Sequence, residues 1–188
     1  KYENYEKWRK QNGKYVIRTP MGGYRGYGPT HSQSLEKHFM GVPGLDVIAL
    51  NIFVDSGELL TQSISSGNPV LFIENKKLYS HTNNFHNTKE DSKLVSSNET
   101  FPVHSYIPQK NNSIDFTIAT YGGMSLVCYE VVNYLYDKYN INGELIVSSK
   151  LTQPNLNPII KSIKKTKIFI TVEENVVQLG FGSELISN

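Results

Sequence analysis

Cysteine is almost missing from this chain: Cys128 is the single one in 188 residues. One thiol excludes an intrachain disulfide framework and any metal site built on paired CxxC motifs. Long apolar runs are missing too, and nothing approaches the ~20 residues of a membrane-spanning helix. No secretory pattern opens the sequence, so these features lead to the expectation of a cytoplasmic chain without a membrane partner. Charge of one sign is equally scarce, with 19 Lys+Arg against 17 Asp+Glu and a net charge of +2. The densest cationic stretch, 161–167, alternates with apolar residues and reads as the solvated face of a helix. A nucleic-acid footprint needs a basic stripe with interleaved aromatics, so no nucleic-acid partner is expected.

What is present is an apolar fraction of 38%, enough for one well-cored domain or two small ones. Short apolar runs alternate with segments of helical spacing. Strands are predicted at "KYVIRT", Val47 to Leu50, "NPVLFIEN", "DFTIATYG", "GELIVSS" and "KIFITVEE". Helices are predicted over 35–40, 53–66, 124–138 and 157–165, with a further one beginning at "QLGFGSELIS". In the fourth of these, Ile159, Ile160 and Ile163 are predicted to point inward. Ser32 or Ser34 could cap the first, with Glu36 in its opening turn. Tyr2, Tyr5 and Trp8 suit one face of a short helix ended by Gly13. Between about 76 and 112 the composition turns to Asn, Ser, Thr and charge without a period, the mark of a linker or long surface loop. His81 and His86 in it read as solvated. The alternation implies a three-layer α/β/α fold with mostly parallel sheets. The division that follows is a first domain over 1–80, a linker over 81–112 and a second domain over 113–188.

"GGYRGYGPTHSQSLE", residues 22–36, is the segment richest in chemistry. Its glycines run Gly23-x-x-Gly26-x-Gly28, the reverse order of the dinucleotide fingerprint, and no G-K-[ST] follows. Tyr24, Arg25 and Tyr27 project where a pyrophosphate needs bare backbone. The segment reads either as a strand-to-helix loop whose glycines permit positive φ or as a functional loop. It follows the carboxyl end of a strand, where open α/β sheets place their ligands. His31 lies just ahead of the predicted helix, able to hydrogen-bond an anion or move a proton.

The stretch "RTPMGGYRGYGPTHSQSLEKHFMGVPGLDVI", with "GNPVLFIENKKLY", "DFTIATYGGMSLVCYEVV" and "VEENVVQLGFGSELI", resembles the β-subunit of 2-oxo acid dehydrogenase E1 components of the pyruvate and branched-chain type. These are members of the transketolase-like thiamine diphosphate superfamily. "GPTH" is shared across that superfamily, whereas "HSQSLE" with "NPVLFIENKKLY" resembles the E1 β group more specifically. The resemblance implies the end of a pyrimidine-binding domain followed by a transketolase C-terminal-type domain. It implies oxidative decarboxylation of a 2-oxo acid and acyl transfer to lipoyl, with thiamine diphosphate and Mg²⁺ shared with an α-subunit. His31 corresponds to the active-site histidine, with Arg25, Tyr27, Ser32 and Gln33 forming its loop. Ser63, Ser65, Ser66 and Asn68 match a structural potassium site whose carboxylate position is Ser66 here. Implied partners are an E1 α-like subunit, the lipoyl domain of an E2 acyltransferase and a second β-type chain.

The glutamate that engages the aminopyrimidine lies upstream of the matched segments in that family, so the chain reads as an interior piece whose isolated form lacks turnover. Two other readings stand beside it: a transketolase-like two-carbon transfer enzyme, and a non-catalytic α/β partner-binding domain. The wealth of Asn, Lys, Ile and Tyr points to an AT-rich bacterial genome.

Overall fold

The computed structural model describes Lys7, residues 14–81 and residues 89–187. The predicted helix over 1–12 and His86 lie outside the described residues, apart from Lys7. Two sheets organise the remainder. The first has three parallel strands in the order β1-β3-β2, namely β1 (Val16–Met21), β2 (Asp46–Ala49) and β3 (Val70–Asn75). The second has five, in the order β4-β5-β7-β6-β8: β4 (Lys93–Ser96), β5 (Val103–Ile107), β6 (Phe116–Tyr121), β7 (Gly143–Ser148) and β8 (Phe169–Val172). Helices α1 (Lys37–Met40) and α2 (Ser56–Ser65) belong to the first unit. Helices α3 (Met124–Tyr139), α4 (Asn157–Thr166) and α5 (Phe181–Ser187) belong to the second.

The period of two along each strand decides what each face meets. Ile48, Val70 and Phe72 pack with Leu59 of α2, while Val47, Ala49, Leu71 and Ile73 point the other way. In β6, Phe116 and Ile118 pack with Cys128 and Val132 of α3. Thr117, on the opposite face, meets Ser162 at 2.7 Å and Thr166 at 2.8 Å, both on α4. Ala119 and Tyr121 share that face and join Val47, Ala49, Leu71, Ile73, Ile146 and Leu151 in one core. The two sheets therefore share a core across their seam. Backbone bonds reinforce it: the Ala49 amide donates to the Ser149 carbonyl at 2.8 Å, and the Leu151 amide donates to the Val47 carbonyl at 2.9 Å.

The α/β class and the parallel order of most strands match the sequence reading. The segment read as an irregular linker differs. Its described part contains β4 and β5, which extend the second sheet by antiparallel pairing to β7. Their apolar residues are few because β4 is an edge strand with exposed positions, whereas Val103, Tyr106 and Ile107 of β5 are buried. Helix α1 is shorter than predicted, and no side chain caps it. On α4, Ile159 is buried and Ile163 packs against the core, but Ile160 is exposed.

His104 of β5 is 3% exposed and its Nδ1 meets Ser96 Oγ at 2.8 Å. Nε2 has no hydrogen-bond partner among the described residues, and the ring lies 5.9 Å from that of Phe53, which reaches over from the first unit. Burial holds the imidazole pKa down at about 4. An unfolded chain takes up this proton near pH 6.5, whereas the folded chain resists it until about pH 4. Stability is therefore lost as the pH falls through that window, by up to about 3 kcal/mol. The urea midpoint of His104→Gln should fall less between pH 6.5 and 4.5 than that of the parent chain; equal acid losses would refute the assignment.

Candidate active site

Four strand ends meet at the seam. β1 and β3 of the first sheet end at Met21 and Asn75, and β6 and β8 of the second end at Tyr121 and Val172. Their carboxyl ends lead into Gly22-Gly23, Lys76-Lys77, Gly122-Gly123 and Glu173-Glu174. That is where parallel α/β sheets carry their ligand sites.

The loop after β1 closes on itself, because the Gly22 amide donates to the Gln33 carbonyl at 3.1 Å. Gly22, Gly26 and Gly28 take φ of +88°, +70° and +76°, a region costly for residues bearing a Cβ. Tyr24 also has positive φ, +77°, and lies with its ring 4.3 Å from Lys77 Nζ. The 3₁₀ turn over Lys76–Ser80 holds the loop's outer side. There Arg25 Nη2 donates to the Lys76 carbonyl at 3.1 Å, and Lys76 Nζ donates to the His31 carbonyl. Lys76 Nζ is also 5.6 Å from the centre of the Tyr27 ring. Arg25, Tyr27 and His31 are thus gathered around one lysine. Tyr27 and the His31 side chain stay exposed. Ser32 and Gln33 contribute to loop closure, with the Ser32 carbonyl lying behind Gly23.

The loop's inner side is held by the second unit. Glu174 Oε1 accepts from the Gly23 amide at 2.7 Å, and its Oε2 accepts from Asn75 Nδ2 at 2.8 Å. At the loop's far end Glu36, 1% exposed, accepts from the Tyr121 hydroxyl and from Asn175 Nδ2 at 3.3 Å. Burial, then the neighbouring Glu36 carboxylate, raises the Tyr121 phenol well above its ordinary pKa. Burial also raises Glu173, against the opposing pull of the Gly182 and Phe181 amides it accepts from. A cavity of about 10 Å³, lined by Ser34, Glu36, Asn75, Tyr121 and Glu174 among others, lies within this network. That is room for about one water.

A larger cavity, about 390 Å³, lies on the other side of Asn75 and does not include His31. Arg18, Glu74 and Tyr79 form its polar wall, with Arg18 Nε donating to Glu74 at 2.6 Å and the Tyr79 hydroxyl donating at 2.8 Å. Burial and the bond to Glu74 push Tyr79 up to about 12. We place the candidate site at the seam rather than in this cavity, which takes in the end of β3 and the exposed His81, because the seam gathers the carboxyl ends of four strands from both sheets.

The turn matched to a potassium site is committed to itself. Ser63 Oγ donates to the Leu59 carbonyl at 2.8 Å, and Ser66 Oγ donates to the Ser63 carbonyl at 2.9 Å. Asn68 Nδ2 donates to Asp46 Oδ2 at 3.0 Å, and Asp46 also pairs with Lys150 at 2.8 Å. Ser65, next to these groups, closes α2.

Glu36, read only as a residue of a helix's opening turn, and Asn75, Tyr121 and Glu174 were not singled out as site residues by the sequence reading. The signal that could have found three of them is a polar residue closing an apolar strand or just after one, in "FIEN", "IATY" and "FITVEE".

Residues 105–188 match the model of the transketolase C-terminal domain. The match takes in most of the five-stranded unit. Over nearly its whole length the chain is similar to β subunits of the pyruvate dehydrogenase E1 component. The mitochondrial subunit of Saccharomyces cerevisiae is 31% identical over 94% of this chain and 46% of its own length. That of Gracilaria tenuistipitata var. liui is 34% identical over 92% of this chain and 50% of its own. The chain spans about half the length of these curated relatives. A solved split-gene transketolase, an inactive β4 tetramer, superposes with a TM-score of 0.62 at 16% identity, covering 92% of this chain and 52% of that one. At that identity it shows the fold alone. The similar subunits of yeast, Dictyostelium discoideum and rice are named mitochondrial. This overturns the expectation of a bacterial, cytoplasmic protein, which rested on composition and on an opening without a secretory pattern.

Tyr121→Phe keeps the ring, whose centroid is 5.1 Å from that of Phe181, but removes the hydroxyl donor from buried Glu36. The expected cost is about 2 kcal/mol of unfolding free energy, read from urea denaturation; a loss below the measurement error would show that Glu36 does not depend on Tyr121.

Proposed function

We propose that this chain is part of an E1 β-type subunit that, with an α-type partner, decarboxylates a 2-oxo acid and passes the acyl group to lipoyl. The observation that carries the reading is the exposed His31 on a closed loop where parallel strands of both sheets end. The similarity to pyruvate dehydrogenase E1 β subunits supports it. We further assign residues 1–80 to the end of a pyrimidine-binding domain and the five-stranded unit, with β4 and β5 included in place of a boundary at 113, to the C-terminal domain.

Thiamine diphosphate supplies the carbon nucleophile of such a reaction when bound. In this reading the His31 imidazole faces the reacting end, where it hydrogen-bonds the substrate carboxylate or carries a proton to or from the acyl group. Arg25 and Tyr27 shape the entrance, and Ser32 and Gln33 keep the loop closed. No group of three or more His, Cys, Asp or Glu side chains comes together for a metal among the described residues. As the resemblance to E1 β subunits implies, we assign Mg²⁺ and the diphosphate to the partner subunit, and give potassium no role at 63–68. The lipoyl domain of an acyltransferase and a second β-type chain complete the proposed assembly. Two-carbon transfer between sugars is the second reading, and only the fold likeness to a transketolase favours it.

His31→Ala in the full parent chain, assembled with its α-type partner, should lower kcat for pyruvate decarboxylation about 100-fold. The 188-residue chain alone should give no turnover. Unaltered turnover in the variant, or decarboxylation by the isolated chain, would sink the proposal.

A further inference from the structure

The loop that carries His31 has no capping side chain at the helix that follows it, and much of it is exposed. Beyond the Gly22–Gln33 bond that closes it, the loop is held by contacts from outside. We propose that Glu174 and Asn75 are positioning residues that act as one hydrogen-bonded unit, through which the second unit fixes the loop. The inference rests on the reading of His31 given above, and its consequence is that the C-terminal domain supports the reacting histidine of its neighbour.

The polarity of the arrangement is fully determined. Asn75 Oδ1 accepts from the Lys77 amide at 3.0 Å, so Nδ2 is the atom left to face Glu174. Glu174 receives at both oxygens, Oε1 from the Gly23 amide and Oε2 from Asn75. Space is equally restricted. A Cβ at Gly22 would lie 2.6 Å from Asn75 Nδ2, and one at Gly123 would lie 2.4 Å from Asn75 Oδ1. Glycine backbones of both units thus press on the Asn75 amide, which is itself buried. The next residue, Lys76, donates to the His31 carbonyl. The chain of contacts runs from Glu174 through Asn75 and Lys76 to His31, and directly from Glu174 to Gly23.

Donor and acceptor order gives a test that mere bulk would not pass. Glu174→Gln presents an NH₂ group either to Asn75 Nδ2 or to the Gly23 amide, a donor against a donor in both orientations. Asn75→Asp sets a carboxylate against the Glu174 carboxylate. The double variant Asn75→Asp/Glu174→Gln restores every donor to an acceptor and keeps the net charge.

Amide exchange of peptides spanning 22–36, measured on this chain, should rise about fivefold in each single variant. It should return toward the parent rate in the double variant. In the assembled parent enzyme, kcat for pyruvate should fall in the single variants and recover in the double one. Unchanged exchange in the single variants, or a double variant no closer to the parent than they are, overturns the proposal. Failure of the underlying reading looks different: His31→Ala then keeps full turnover while the exchange pattern is still broken and rescued.

Discussion

The structure depends on one core shared by two sheets. Val47, Ala49, Leu71 and Ile73 from the first sheet and Ala119, Tyr121, Ile146 and Leu151 around the second leave water together. Burying a single aliphatic side chain of this kind contributes roughly 1.5–3 kcal/mol. Ile159 of α4 and Phe181 and Leu185 of α5 complete this core from the second unit, so separation of the units would expose apolar surface on both. Parallel strands add a second consequence. Because β1 pairs with β3, and β6 with β8, all in the same sense, joining the sheets through this face brings four carboxyl ends to one place.

Polar groups decide how that place is arranged. Apolar packing is non-directional, and alone it would leave the angle of the loop to the seam undetermined. Glu36 is fully buried, and an ionised carboxylate in such a position is costly unless hydrogen-bonded. Its bonds to Tyr121 and Asn175 therefore act as a fit that only one docking satisfies. Glu174 is exposed, so its contribution to stability is small. Its directional bonds to Gly23 and Asn75 matter for geometry instead.

Much of this was legible in the sequence where a single period dominates. The strands at "NPVLFIEN" and "GELIVSS" and the helix from Met124 follow from continuous or spaced apolar residues, and each forms within two residues of its predicted bounds. β5 was missed because its apolar residues, Val103, Tyr106 and Ile107, sit among polar neighbours in a stretch crowded with Asn and Ser. An edge strand such as β4 buries little and so carries almost no pattern. His31 and its loop could be found from glycine spacing and position after a strand. The contacts that hold that loop could not, since Glu174 lies 151 positions from Gly23 and Tyr121 lies 85 positions from Glu36. Spacing rules read neighbours within an element; these contacts are made only after both sheets exist.

The same separation in sequence explains why the loop is so rich in glycine. A loop fastened at Gly22 and Gly23 must pass close to Asn75 and Glu174 while turning through positive φ at Gly22, Gly26 and Gly28. Open space surrounds Gly26 and Gly28, so those two serve the turn alone. Gly22 serves both needs, because positive φ and an amide pressed against its Cα position each exclude a side chain. The glycines that resemble a phosphate cradle are therefore accounted for by backbone path and by contact with Asn75. The side chains that this path displays are Arg25, Tyr27 and the exposed His31 imidazole, with Lys76 beside them.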